Sequence, residues 1–159
     1  LLLKFEELRV LQAAETAADA IWRQVIQWEQ FPRETVGRQM ARSVDSIGAN
    51  VAEAFGHFHY GEKLQFLYYA RGSLFETKYW LNRAEKRDLM PAGLTTAYAS
   101  QLTDLARQLN AFAADLKKQR LGGSKTIRET TSEYAFDEPN DMSLFTEADL
   151  KWFETISNI

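Results

Sequence analysis

The chain contains no cysteine, which excludes disulfides, thiolate metal sites and a cysteine nucleophile. This absence fits a reducing cytosol. No apolar run approaches the roughly 20 residues that span a bilayer. Leu1-Leu2-Leu3 reads as the trimmed start of a longer frame, too short and too soon followed by charges for a signal peptide. A soluble, cytoplasmic protein is expected, with no membrane partner. Strand-type alternation is nowhere sustained, so Gly56 and Gly61 lie in no strand-to-helix turn of the kind that cradles phosphate. At 159 residues the chain is one domain by size, able to bury roughly 70% of its unfolded surface without staples.

What is present is helical periodicity. From Glu6 to Gln30, the residues Leu8, Leu11, Ala14, Ala18, Ile21, Trp22 and Val25 form one stripe. Phe31-Pro32 should end that helix, because the residue before proline is pushed out of the helical region. From Glu34 to Phe55, Val36, Met40, Val44, Ile47, Val51 and Phe55 step by three and four. Between Glu62 and Arg87, a Leu64, Leu67, Leu74 and Leu81 stripe is joined by Phe66, Tyr69, Phe75, Tyr79 and Trp80. Pro91, a favoured first-turn residue, opens a fourth segment with a seam of Leu94, Tyr98, Leu102, Leu105, Leu109, Phe112 and Leu116, stopped by Gly122-Gly123. Short connectors near 31–33, 57–61 and 88–92 force neighbouring helices antiparallel. The expected fold is all-α: an antiparallel up-down-up-down four-helix bundle over 1–121. The third helix is apolar beyond one stripe and needs a second partner. Phe66, Tyr69, Phe75, Tyr79 and Trp80 are therefore candidates for a homo-oligomer interface.

Charge is unevenly spread. Residues 1–128 carry a net +4 and residues 129–159 a net −7, which together give the chain's −3. The mildly basic body could meet a polyanion, and the acidic tail could compete for the same surface. Residues 122–145 are rich in Gly, Ser, Thr and acids and read as a flexible linker. Over 146–159, Thr146-Glu147-Ala148-Asp149 matches a helix start with a carboxylate three residues after the cap. Leu150, Trp152, Phe153 and Ile156 then anchor a short amphipathic helix. Such a helix is marginal alone and must dock, on its own bundle or in a groove of another protein.

Specific motifs run through Phe31 to Arg87. They are Phe31-Pro32, then Arg42-Ser43, then Ser46-Ile47-Gly48-Ala49-Asn50-Val51-Ala52-Glu53-Ala54-Phe55-Gly56. They resume at Phe66-Leu67, Ala70-Arg71-Gly72-Ser73-Leu74 and Glu76. With the opening Phe5 to Trp22, they resemble the 23S rRNA intervening-sequence proteins over roughly residues 5–116. The resemblance implies a four-helix bundle assembled as a ring-like homopentamer, without enzymatic activity. Such proteins are encoded within insertions in large-subunit ribosomal RNA genes. Related ones accompany reverse transcriptases of diversity-generating retroelements, binding the polymerase and nucleic acid. Gly48 and Ala54 stand where that family usually has Pro and Gly. Its Arg- and Lys-rich loop is here His57-Phe58-His59-Tyr60-Gly61, a weaker source of positive charge for nucleic acid.

Asn50, Glu53, Arg71, Ser73 and Glu76 are the polar members of these motifs. They read as a buried network in which Arg71 compensates the carboxylates. A catalytic carboxylate pair would need a nucleophile, phosphate loop or cofactor signature alongside it, and none is evident. Glu53, His57, His59 and Glu62 have weak metal-ligand spacing; the plainer reading has the imidazoles capping the second helix. No metal or cofactor is expected. Candidate polyanion-binding residues are Arg38, Arg42, Lys117, Lys118, Arg120, Lys125 and Arg128, with Arg33, Lys63, Lys78, Arg83, Lys86 and Arg87 as further basic positions. The leading expectation is a non-enzymatic homo-oligomeric adaptor or scaffold, pentameric by resemblance, whose surface binds a protein partner or RNA. The alternative is an RNA-binding protein tied to ribosomal or retroelement RNA.

Overall fold

The computed structural model describes residues 4–123 and 143–155, and among them every regular element is helical. A 3-10 turn, Phe5–Glu7, leads into α1 (Arg9–Val25). A one-turn helix α2 (Gln30–Pro32) and a π-helical turn (Arg33–Gly37) run without a break into α3 (Arg38–Gly56). Then come α4 (Tyr60–Lys86), α5 (Ala92–Gly123) and a short α6 (Glu147–Glu154). Helix α1 packs on α3, α3 on α4, α4 on α5, and α5 on α1. Along α3 and α4 the contacts fall in reverse order. Ser43 accepts from Thr77 (3.0 Å) and Ser46 from Ser73 (3.0 Å), so the residue later in one helix meets the residue earlier in the other.

The core follows the apolar seams. Leu8, Leu11, Ala14, Ala18, Ile21 and Val25 of the first stripe are buried, as are Val36, Met40, Val44, Ile47 and Val51 of the second. Leu67, Leu74 and Leu81 of α4 and Leu102, Leu105 and Leu109 of α5 are buried in the same core cluster. Several expectations need correction. Phe55, the last residue of the second stripe, is 36% exposed at the end of α3. Trp22 lies beside the first stripe rather than in it and is 54% exposed, while Ile21 takes the core position. Pro32 does not terminate the first helix, which ends at Val25. It sits in the first turn of the next, where its missing N–H would be unsatisfied anyway.

That early start is permitted by Gly37. A β-carbon there would stand 2.6 Å from Val25 Cγ1 and 3.3 Å from Trp28 Cε3, so only glycine lets the π-helical turn close onto the end of α1. Both neighbours are buried and cannot swing away. Gly37→Ala is expected to lower the urea unfolding free energy by about 1–3 kcal/mol through overpacking, despite alanine's better helix propensity. An unchanged or higher midpoint would contradict this packing.

The second chain reversal is capped from an unexpected side. Lys63 Nζ donates to the carbonyls of Ala54 (3.3 Å) and Phe55 (3.2 Å) at the end of α3. Burial holds its pKa below the ordinary lysine value. The His57 ring instead faces Glu53 (3.5 Å) and Glu62 (3.3 Å) and stacks on Phe66 with centroids 4.6 Å apart.

Candidate functional site

The C-terminal segment packs against α4 and α5 of its own chain. Helix α6 is too short to persist alone, and its start is locked by a reciprocal cap. Thr146 Oγ1 accepts from the Asp149 N–H (3.1 Å), and the Asp149 carboxylate accepts from the Thr146 N–H (2.8 Å). Leu144, Phe145, Leu150 and Phe153 are all buried and join the core formed with the longer helices. Phe75 of α4 is the hub, with Phe153 at 4.9 Å, Trp152 at 5.4 Å and Phe145 at 6.0 Å between centroids.

Polar side chains of α4 and α5 hold the segment's backbone. Asn110 donates through Nδ2 to the Phe145 carbonyl (2.9 Å), and its Oδ1 accepts from the Phe145 N–H (2.8 Å). Asn110 thereby satisfies both main-chain groups of a residue just before the helix. Arg71 Nε donates to the Leu144 carbonyl (2.7 Å), its guanidinium lies over Phe75 at 4.8 Å, and Nη2 is 3.7 Å from the Asp149 carboxylate. Lys78 Nζ donates to the Thr155 carbonyl and to Asn82 Oδ1 (2.8 Å) and faces the Trp152 ring at 5.1 Å. The Lys78 side chain is wholly buried, and that burial, only partly offset by Glu85, pulls its pKa down to about 8.

The motif residues therefore do not form one network. Asn50 donates to the Ser46 carbonyl (2.8 Å) and hydroxyl (3.1 Å), and Ser73 joins it through Ser46. Glu53 turns to His57, Glu76 accepts from the Trp80 indole (3.3 Å), and Arg71 serves the C-terminal segment. The carboxylates and Arg71 part because each finds a partner on its own helix turn or in the tail. Residues of the expected oligomer face also separate. Tyr69 and Tyr79 are half exposed, and Phe66 and Trp80 are partly buried against the core. Phe75 is already covered by this chain's own aromatics, as are Trp152 and Phe153 by Phe75. Leu150 is buried in the same seat; Ile156 lies outside the described residues.

The basic positions do not make a single patch. Arg38 and Arg42 line an open groove of about 350 Å³ with Trp22, Ile26 and Arg33. Arg120 lies over the Tyr60 ring at the start of α4, at 4.8 Å, with Lys117 and Lys118 in the same last turns of α5. Those turns are at the far end of α3, whose 19 residues span roughly 28 Å. Lys125 and Arg128 lie outside the described residues. Lys78 is withdrawn from the basic set by its burial. A second groove of about 300 Å³ between α1 and α3 is floored by Ala14, Ala18, Gly48 and Ala52 and edged by Glu15, Asp19 and Asp45. Burial, and then the charge of Asp19, raises the Asp45 pKa above the usual carboxylate value. Among the described residues, no three His, Asp or Glu side chains are grouped to hold a metal ion. None of the helices described is long and apolar enough to cross a membrane.

The family model of the 23S rRNA-intervening sequence protein matches residues 6–111, the span that holds α1 to α4 and most of α5. The chain belongs to the 23S rRNA-intervening sequence protein family. The matched span contains Arg71, Phe75, Lys78 and Asn110, the floor and clamps of the groove between α4 and α5 in which the C-terminal segment lies. The segment that fills it, Ser143–Thr155, lies beyond the match. A search of curated proteins finds no match to this chain. Sequence reasoning missed Asn110 and the buried role of Lys78. Neither has a local signal, since polar residues on a helix read as solvent-facing until the element that covers them is known.

Proposed function

We propose that this family member is a non-enzymatic homo-oligomeric scaffold of the cytoplasm, an antiparallel up-down-up-down bundle whose faces are completed by further copies of itself. The observation that carries this reading is large apolar side chains left in water on two separate faces. Trp22 (54% exposed) and Ile26 (49%) stand on α1 and its end; Tyr69 (50%) and Tyr79 (52%) stand on α4. Exposed aromatic clusters of this kind mark association surfaces. Two different faces suit a heterologous, ring-closing contact better than a two-fold one. Five copies is the number the family resemblance implies.

The test is charge insertion on each face. Trp22→Glu and Tyr79→Glu, both at exposed positions, are each expected to reduce the mass seen by light scattering to that of one chain, with helical circular dichroism unchanged. A wild-type mass equal to one chain, or assemblies indifferent to both substitutions, would contradict the scaffold reading.

A second reading, RNA binding, is favoured by the groove that Arg33, Arg38 and Arg42 line together with Trp22, with Glu34 and Asp45 also in its wall. Guanidinium groups and an aromatic ring lining one groove suit phosphate and base together. Such binding would weaken steeply as salt rises, whereas an assembly held by apolar contact would not.

A further inference from the structure

We propose that the α4–α5 groove is a peptide-recognition seat that takes the C-terminal segment of a second copy as readily as its own, so that tails are exchanged between subunits. The inference rests on the scaffold reading, and on three observations.

First, recognition is confined to the segment itself. Every clamp grips Leu144 to Thr155: Asn110 on the Phe145 backbone, Arg71 on the Leu144 carbonyl, Lys78 on the Thr155 carbonyl and Arg107 on Glu154 (2.9 Å). A tail arriving from another copy would make the same bonds. Such a swap keeps every contact and is a low-cost route to association.

Second, the tether is longer than the cis path needs. Phe145 is held at Asn110, which lies 13 residues before Gly123 on α5, so the chain must return roughly 20 Å. The intervening residues 124–142 are 19 in number and can reach ~60 Å when extended. That spare length exceeds the width of a bundle whose helices lie about 8–10 Å apart.

Third, the segment cannot hold its helix unaided. A released segment therefore loses its helix until a groove, its own or a neighbour's, takes it up again. In a closed assembly, neighbouring grooves present themselves at high effective concentration, which removes the usual advantage of the chain's own seat.

The absence of cysteine makes the test clean. Arg107 and Glu154 face each other and are each about half exposed (52%), so Arg107→Cys and Glu154→Cys should fold. The two full-length variants are co-expressed, one carrying a mass tag, and treated with a short bis-maleimide. Exchange predicts a covalent product joining residue 107 of one chain to residue 154 of the other. Asn110→Ala on the Arg107→Cys chain should cut its yield roughly tenfold, the effect of stranding two buried main-chain groups. The double variant Arg107→Cys/Glu154→Cys reports the cis path. If it closes within one chain while the mixed variants give no joined product, tails stay home and the proposal is overturned. If neither product forms, the seat itself is absent and the proposal also falls. Native mass of the same untreated sample separates the two readings. An assembly without joined chains overturns exchange alone, and a single-chain mass overturns the scaffold with it.

Discussion

Replacing Phe153 by alanine is expected to unseat the whole C-terminal segment, not merely loosen it. Phe153 is fully buried and touches Phe75, Phe145 and Trp152. Truncating a buried phenylalanine costs about 3–5 kcal/mol. The eight residues of α6 have little intrinsic stability to offset that loss, and the bonds from Asn110, Arg71 and Lys78 exchange readily for water once the aromatic packing is gone. Backbone amides of Leu150 and Thr155, which donate to the Thr146 and Lys151 carbonyls, should then exchange hydrogen at nearly the rate of a free peptide. The core of α3 should remain protected. Persistent protection at Leu150 would show that the polar clamps suffice to hold the seat.

The second large effect is a pH dependence traced to Lys78. Its folded-state pKa is about 8 against the ordinary lysine value of 10.5, so between those values the unfolded chain carries a proton that the folded chain has lost. Stability then rises with pH across that window. Below pH 8 the cost of the buried ammonium is fully present; above 10.5 it is gone. The gain is of order 1–3 kcal/mol. Lys78→Met keeps the apolar stem against Trp152 and removes the titration. Wild type is expected to gain on this variant in urea unfolding between pH 7.5 and 10. Tyr98, whose pKa burial raises, pushes the other way but does so in both proteins and cancels from the difference. Parallel curves would mean the Lys78 ammonium is solvated, and the docked segment could not then cover it as described.

The residues show which parts of this architecture a sequence can disclose. Seams such as Leu67, Leu74 and Leu81 are periodic and local, and the core uses them. The capping box at Thr146 and Asp149 is equally local, and the helix starts there. Trp22 escapes because a helical stripe cannot rank two adjacent apolar residues; which one faces inward depends on the partner helix. Phe31-Pro32 is ambiguous in the same way. A proline is compatible with the end of one helix or the first turn of the next, and the choice is made by Gly37 fitting against Val25 and Trp28. The candidate site was the least legible. Asn110 and Arg71 reach partners 35 and 73 residues away, and the spacing around either residue carries no trace of that. Lys78 looks like any surface lysine until Trp152 and Thr155 cover it.

The clearest test of the account is native mass spectrometry of the untagged full-length protein purified from its own cells. A homo-oligomeric scaffold predicts one dominant assembly of several copies that survives high salt, five being the count the family resemblance implies. A species with the mass of one chain, or an assembly that falls apart into single chains as bound RNA is shed with rising salt, would contradict it.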